Sequence, residues 1–560
     1  MIRSAPVALA VMLLSAACAE VDEDHDWSYD GPVNECETDA DCSAGDCAVE
    51  LGRCAVGPPA GGETLYVEVF PPGEAEVPSQ VFEVELGADG VVEEPLEVRR
   101  PVVVQGETRA GEENLEALVV FVYRGDRLPG KSARRTVYNS SQGVFDLELL
   151  PGLYDLLALP EGEQAEQYPP YYLDAVELTV QGELRRDGGP PLDLIVPEPE
   201  TEVSGVIRMG GVPVNGLSVQ AGSPDGTRRL STLATTACRG QGSERVCGAF
   251  TIELASGTEQ FSLLVSRQGQ PHHPQISIDG FVVEEPGEPL DLSGDLRLSL
   301  DPLGPPIRYH ATVERPIMTD AGQLLHDPAP RCFVRFSSSS IAGGRVERWV
   351  ETNEAGALEQ SDGVLGVMLY PGEYEVIAIP AEALSDSLTD YTPFVSGDPV
   401  VISGSGEIGG QVFPLSWRPL YKGLVLAGGR EVPGTSLVAE PRTGSATVRS
   451  NATGTGFDGE YAIWLDPGEY HLTAEAPPES GYAWATTELE VEGNGSLDFE
   501  LPLPYIASIR VVASGDQVDP IELGGSSVVW YRVVDGAARA IARGAAGEDG
   551  EVVALLPPPG

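Results

Sequence analysis

The residues with the widest chemical reach in this 560-residue chain are eight cysteines and six histidines. Cys36, Cys42, Cys47 and Cys54 crowd into "CETDADCSAGDCAVELGRC". In an exported chain, four thiols at that density form two disulfides, with three possible pairings. The competing chemistry is a zinc site. It is disfavoured because paired C-x-x-C spacing is missing and such sites belong mainly inside cells. Cys238 and Cys247 bracket the polar loop "RGQGSERV" and read as a third disulfide. Cys332, in "RCFVRF", sits between apolar strand residues and reads as a buried, inert thiol.

The histidines do not assemble a site. They stand at positions 25, 272, 273, 310, 326 and 471, and the one adjacent pair, His272 and His273 in "GQPHHPQ", is a proline-flanked loop without a third ligand. "ETDADCSAGD" offers carboxylates for calcium, but its glycine has the wrong offset for an EF-hand and position twelve holds no Glu. The chain has no H-E-x-x-H, G-x-S-x-G or G-x-x-x-x-G-K-[ST] motif. No catalytic residue, cofactor or metal is expected. Aromatic stacking on a sugar is the remaining binding chemistry. Its candidate is Trp464, which alternation places on the outer face of its strand beside Glu460 and Ala462. Packing against a neighbouring module is the plainer reading of that tryptophan.

The first residues give an address. "MIRSAPVALAVMLLSAACAE" has the charge, apolar run and small-residue end of a signal peptide. "LLSAAC" resembles the bacterial lipobox, which implies a lipid on Cys18 and anchoring in a membrane. Leu14 lies one step further back than the lipobox places it, so cleavage at Ala17-Cys18-Ala19, with release of the protein, stays open. Ala19 is the residue that, in lipoproteins, favours an outer membrane over retention. The formal net charge of -53, from 87 acidic and 34 basic side chains, excludes nucleic acid as a natural partner, because phosphate binding needs Lys and Arg.

What must position these residues is a repeat. "LLPGLYDL" begins at Leu149, "LYPGEYEV" at Leu369 and "WLDPGEYHL" at Trp464. Each is preceded by a glycine eight residues before the proline and by strict apolar alternation, such as Tyr461, Ile463 and Leu465. After the corner the alternation resumes with Tyr470, Leu472 and Ala474. Period two marks half-buried strands, and x-Pro-Gly-x suits a type II turn joining two strands that face one core. With 66 Gly and 47 Pro, and about seven short strands per repeat, the expected fold class is all-β: tandem seven-stranded, immunoglobulin-like β-sandwiches after a small disulfide-rich module.

Gly205, Gly211, Pro213, Val214 and Gly216 in one unit, with Gly459, Tyr461, Pro467, Gly468 and Tyr470 in another, resemble the carboxypeptidase regulatory-like domain. The resemblance spans residues 99–560 and implies a transthyretin-like sandwich without activity of its own. The expected order is a signal peptide at 1–17, an acidic linker at 18–35, the cysteine-rich module at 36–57 and a short β segment or N-terminal β module at 58–98. Sandwiches follow at 99–199, 200–304, 305–417 and 418–503, with an incomplete fifth at 504–560. This fits a non-catalytic, lipid-anchored surface protein whose sandwiches act as stalk or as binding and adhesion scaffold, meeting a membrane through its lipid and a polysaccharide or surface protein as ligand. The alternatives are the accessory region of a secreted hydrolase whose catalytic domain is absent from this chain, and a polysaccharide-binding protein.

Overall fold

The computed structural model describes residues 33–559 apart from short stretches, the longest being 268–274, 300–305, 381–390, 443–449 and 514–520. Cys18, the segment 1–17 expected to be a signal peptide and the His272–His273 pair lie outside the described residues.

The unit at 418–503 shows the plan. One sheet runs Asn451–Gly454, Ser436–Pro441, Gly468–Glu475, Ala485–Val491. The facing sheet centres on Leu420–Ala427, antiparallel to Glu460–Trp464 and parallel to Gly495–Ser496 and Phe499–Glu500. Alternation explains the packing. In Glu460–Trp464 the residues run exposed, buried, exposed, buried, half-buried, and the buried Tyr461 and Ile463 meet Leu437, Tyr470 and Leu472 from the other sheet.

The proline–glycine corner carries the chain from one sheet to the other. Gly152, Gly372 and Gly468 adopt φ of 150°, 158° and 148°. These values lie far from the φ near 80° of a type II turn, so that expectation is corrected. They fall where side-chain-bearing residues are rarely found, and at Gly152 a Cβ would come within 2.8 Å of the Tyr123 ring. The following tyrosine closes the corner. Tyr154 Oη donates to the Leu150 carbonyl at 2.7 Å and Tyr374 Oη to the Tyr370 carbonyl at 2.9 Å, while Tyr470 Oη accepts from the Asp466 N–H at 3.1 Å. Each bond spans four residues, which accounts for the fixed spacing of the phrase.

The final 57 residues do not stand alone. Ser527–Val534 pairs with Ala537–Ala545 on one side and, on the other, with Glu63–Phe70. Gln80–Leu86 extends the same sheet. In the facing sheet, Leu96–Val98 lies parallel to Tyr505–Ala513, which also pairs with Glu551–Leu556. The register matches the fourth unit. Gly468 pairs with Val491 there and Glu63 with Leu86 here, the same number of residues further along in both strands. Segment 58–98 is therefore neither an isolated β segment nor a separate module in these pairings: it supplies the strands that 504–560 lacks. The sheet edge that an incomplete unit would leave open is covered, which the exposed N–H and C=O groups of such an edge require. The shared core joins Leu65, Val67 and Val69 to Tyr505, Val528 and Trp530, all wholly buried.

Each sandwich touches the next. Tyr172 Oη reaches the Arg229 carbonyl at 3.0 Å between the first and second. The second and third share a sheet through Gln275–Val282 and Gly344–Thr352. Arg418, at the start of the fourth, donates to the Tyr391 carbonyl of the third at 3.4 Å. The composite sandwich touches the fourth through Arg539 and Glu440 at 3.1 Å, and the first through Ala538 N–H and the Pro129 carbonyl at 2.7 Å. The contacts thus run in a closed circuit.

Candidate functional site

The cysteine-rich module is oxidised as Cys36–Cys47 and Cys42–Cys54, and Cys238 is joined to Cys247. The sulfurs of Cys36, Cys42 and Cys54 lie within 4.8 Å of one another. Because each is spent in a disulfide, the thiolates that zinc would need are not there. The acidic groups nearby serve the backbone. Asp41 Oδ2 accepts from Glu37 N–H at 3.0 Å and Thr38 N–H at 2.8 Å, which holds its carboxyl below the usual range, and Asp39 Oδ1 accepts from Cys47 N–H at 2.8 Å.

This module is a latch. Asn34 Nδ2 donates to the carbonyls of Cys54 at 2.6 Å and Gly481 at 3.0 Å, and Asn34 N–H donates to Ser480. Val56 N–H reaches the Pro504 carbonyl at 2.8 Å, and Leu503 packs on the cysteines. The module therefore sits on the seam between the fourth sandwich and the composite one, and delivers the chain to Glu63 at the place where the completing strand begins.

Arg532 joins the two ends. Its guanidinium pairs with the Glu63 carboxylate and donates to the Pro557 carbonyl at 2.8 Å. Tyr505 Oη also donates to Glu63. In the first, third and fourth units a covalent proline–glycine corner connects the equivalent strands, and in the second Ser256–Gly257 stands in that place; here Pro557 and Glu63 come to the same corner from opposite ends of the described chain.

Trp464 is half-buried and lies beyond the outward-facing Glu460 and Ala462, its carbonyl accepting from Asn451 Nδ2 at 2.5 Å. Cys332 is buried, 1% exposed, under Thr352, whose hydroxyl accepts its N–H. Among the described residues no histidine joins a cluster able to hold a metal. Two features escaped the sequence reading. Asp466 is 1% exposed and pairs with Arg418, itself 5% exposed, at 3.1 Å. The other corners hold Leu150 and Tyr370 at that position, so a carboxylate in a buried apolar slot was the visible signal.

The second is a cleft of about 540 Å³ where the first sandwich meets the composite one. Glu68 and Ser79 line it from the N-terminal strands, Tyr531 from the C-terminal half, and Leu128, Lys131 and Arg134 from the loop of the first sandwich. Tyr531 Oη donates to Glu68 at 3.0 Å, and burial beside that carboxylate pushes the phenol up. The signal was the run "RGDRLPGKSARR" at 124–135, which puts five of the 34 basic side chains into one loop of an acidic protein.

No protein-family model matches the chain, and no curated protein matches it. Three solved structures illustrate the structural similarities. The Bacillus anthracis TIE protein is 12% identical over 72% of this chain and 74% of its own, with a TM-score of 0.17. The Streptococcal ancillary pilin is 11% identical over 54% of this chain and 99% of its own, at 0.21. The shaft pilin SpaA from Lactobacillus rhamnosus GG is 11% identical over 35% of this chain and 97% of its own, at 0.18. With scores this low, the fold assignment rests on the strand pairing described above.

Proposed function

We propose that this chain is a non-catalytic binding scaffold of the cell surface, exported by its leader, anchored by a lipid on Cys18, and built from carboxypeptidase regulatory-like sandwiches. The observation that carries the reading is the composite sandwich: strands from both ends of the described chain complete one core, which supports a closed scaffold over an extended stalk. Its recurring residues, the corner glycines and tyrosines, are explained by folding, and the disulfides suit an oxidising compartment. Polysaccharide or a surface protein remains the class of partner, reached through grooves between sandwiches. The acidic surface keeps such a scaffold soluble at high density on a membrane.

The test is fractionation and external labelling of intact cells producing the full chain. The scaffold reading expects membrane-associated protein reached by a membrane-impermeant label, and release of Cys18→Ser into the soluble fraction. Protein held in the cytoplasm, or a Cys18→Ser variant as firmly membrane-bound as the parent, contradicts it.

A further inference from the structure

The cleft between the first and composite sandwiches concentrates positive charge in a protein that otherwise avoids it. Among the described residues, Arg127, Lys131 and Arg134 line it against a single carboxylate, Glu68. That carboxylate is occupied, accepting from Tyr531 at 3.0 Å and from Ser79 at 3.2 Å. The cations keep donors to spare. Arg127 uses its Nε on the Lys131 carbonyl at 3.1 Å, and among the described residues its two terminal nitrogens have no partner. Arg134 spends one terminal nitrogen on Ser79 at 2.8 Å. Lys131 stands 3.9 Å from Glu440, with both side chains near half exposed, a pair too long and too wet to neutralise it. If these cations served only to bind sandwich to sandwich, their donors would be consumed by neighbouring carboxylates, as Arg532 is by Glu63.

We infer that this cleft binds a short anionic saccharide, its carboxylate or sulfate groups held by Arg127, Lys131 and Arg134. Forked guanidinium groups match planar and tetrahedral oxyanions, and their bonds to ionised oxygens are the strong ones. A space of about 540 Å³ holds roughly two or three sugar rings, more than a free inorganic anion fills. Leu128 and Val81 give ring faces an apolar wall, and the Ser132 hydroxyl supplies a neutral donor. The choice of saccharide over other anions rests on the surface reading above; the charge and shape of the cleft do not. The cations come from one loop of the first sandwich, and the wall that faces them, Glu68, Val81 and Tyr531, is brought together by the composite sandwich, so the enclosed cleft needs the closed chain.

Titration calorimetry on the purified full-length protein tests this with four probes: a trigalacturonate, a sulfated heparin-derived trisaccharide, maltotriose and a hexa-aspartate peptide. Binding of either charged saccharide, none of maltotriose, and affinity weakened about tenfold or more in Arg127→Ala/Lys131→Ala at unchanged melting temperature is the expected result. Which charged saccharide binds distinguishes uronate from sulfate as the source of charge. No binding of either, binding of maltotriose or hexa-aspartate at equal strength, or full affinity in the double variant overturns it. Because purified protein is used, mislocalisation in cells leaves this result standing, and failure here leaves the surface reading intact.

Discussion

Tyr531 donates its phenolic hydrogen to Glu68 across 463 residues of chain, from one end of the described protein to the other. The bond lies on the strand pairing in which Tyr66 faces Tyr531 and Val67 faces Trp530. A string of modules with free ends would not place these residues together. Loop closure over so many residues is unfavourable by only a logarithmic increment, whereas leaving half a sandwich open would expose Trp530 and a whole strand edge. Closure is thus the favourable way to finish the repeat.

Arg532 stands where the other sandwiches have a covalent corner. Arg532→Ala removes the cationic partner of Glu63, which is 13% exposed and keeps only the Tyr505 hydroxyl among the side-chain donors described above, and removes the donor to Pro557. A loss of about 2 kcal/mol is expected in urea unfolding, in the range of hydrogen bonds to charged groups. A change below a few tenths would show that the ends are not joined there.

The buried pair at the fourth corner makes a signed prediction. Asp466→Leu takes away the carboxylate that pairs with Arg418 in a site 5% exposed and is expected to lower stability by about 3–5 kcal/mol. Asp466→Leu with Arg418→Met is expected to recover most of that loss, because an apolar pair of similar volume carries no desolvation penalty. Thermal unfolding of both variants measures it.

His471 sits 5% exposed between the fourth sandwich and the composite one, and burial together with Arg539 and Arg442 outweighs Glu488 and Asp535 to hold its pKa below 6.5. Below that pH the unfolded chain binds a proton that the folded chain refuses, so stability falls on acidification. The loss begins near the ordinary value of 6.5 and levels off once pH drops below the folded pKa. In His471→Gln that segment of the pH profile is expected to flatten; an unchanged slope contradicts the assignment.

The two disulfides of the latch close short loops, with sequence separations of 11 and 12. Replacing all four cysteines by serine is expected to cost about 2–4 kcal/mol of latch stability. Limited proteolysis should then nick the chain between the latch and Glu63 while the fourth sandwich stays intact. Resistance equal to that of the parent would show that the latch holds without them.

Much of this architecture was legible, and the reasons are local. The alternation Tyr461, Ile463, Leu465 and the resumption at Tyr470 name the core face of two strands, and the glycine-to-proline spacing identifies their corner. The turn type was misjudged because the tyrosine hydroxyl, and not a backbone turn bond, closes the corner. Nothing local says that Glu63–Phe70 belongs beside Ser527–Val534; that follows from register and from an edge needing a partner. The cleft was legible only in its basic run at 124–135; nothing local says that Glu68, Val81 and Tyr531 face that run.

Hydrogen exchange of the full chain tests the closure most directly. Val67 is wholly buried in the completing strand, opposite Trp530. In Val67→Asp, amides of Ser527–Val534 and Gln80–Leu86 should lose protection together, while those of Gly468–Glu475 in the fourth sandwich keep theirs. Unchanged protection of Ser527–Val534 would mean that the C-terminal half-sandwich is completed by something other than the N-terminal strands.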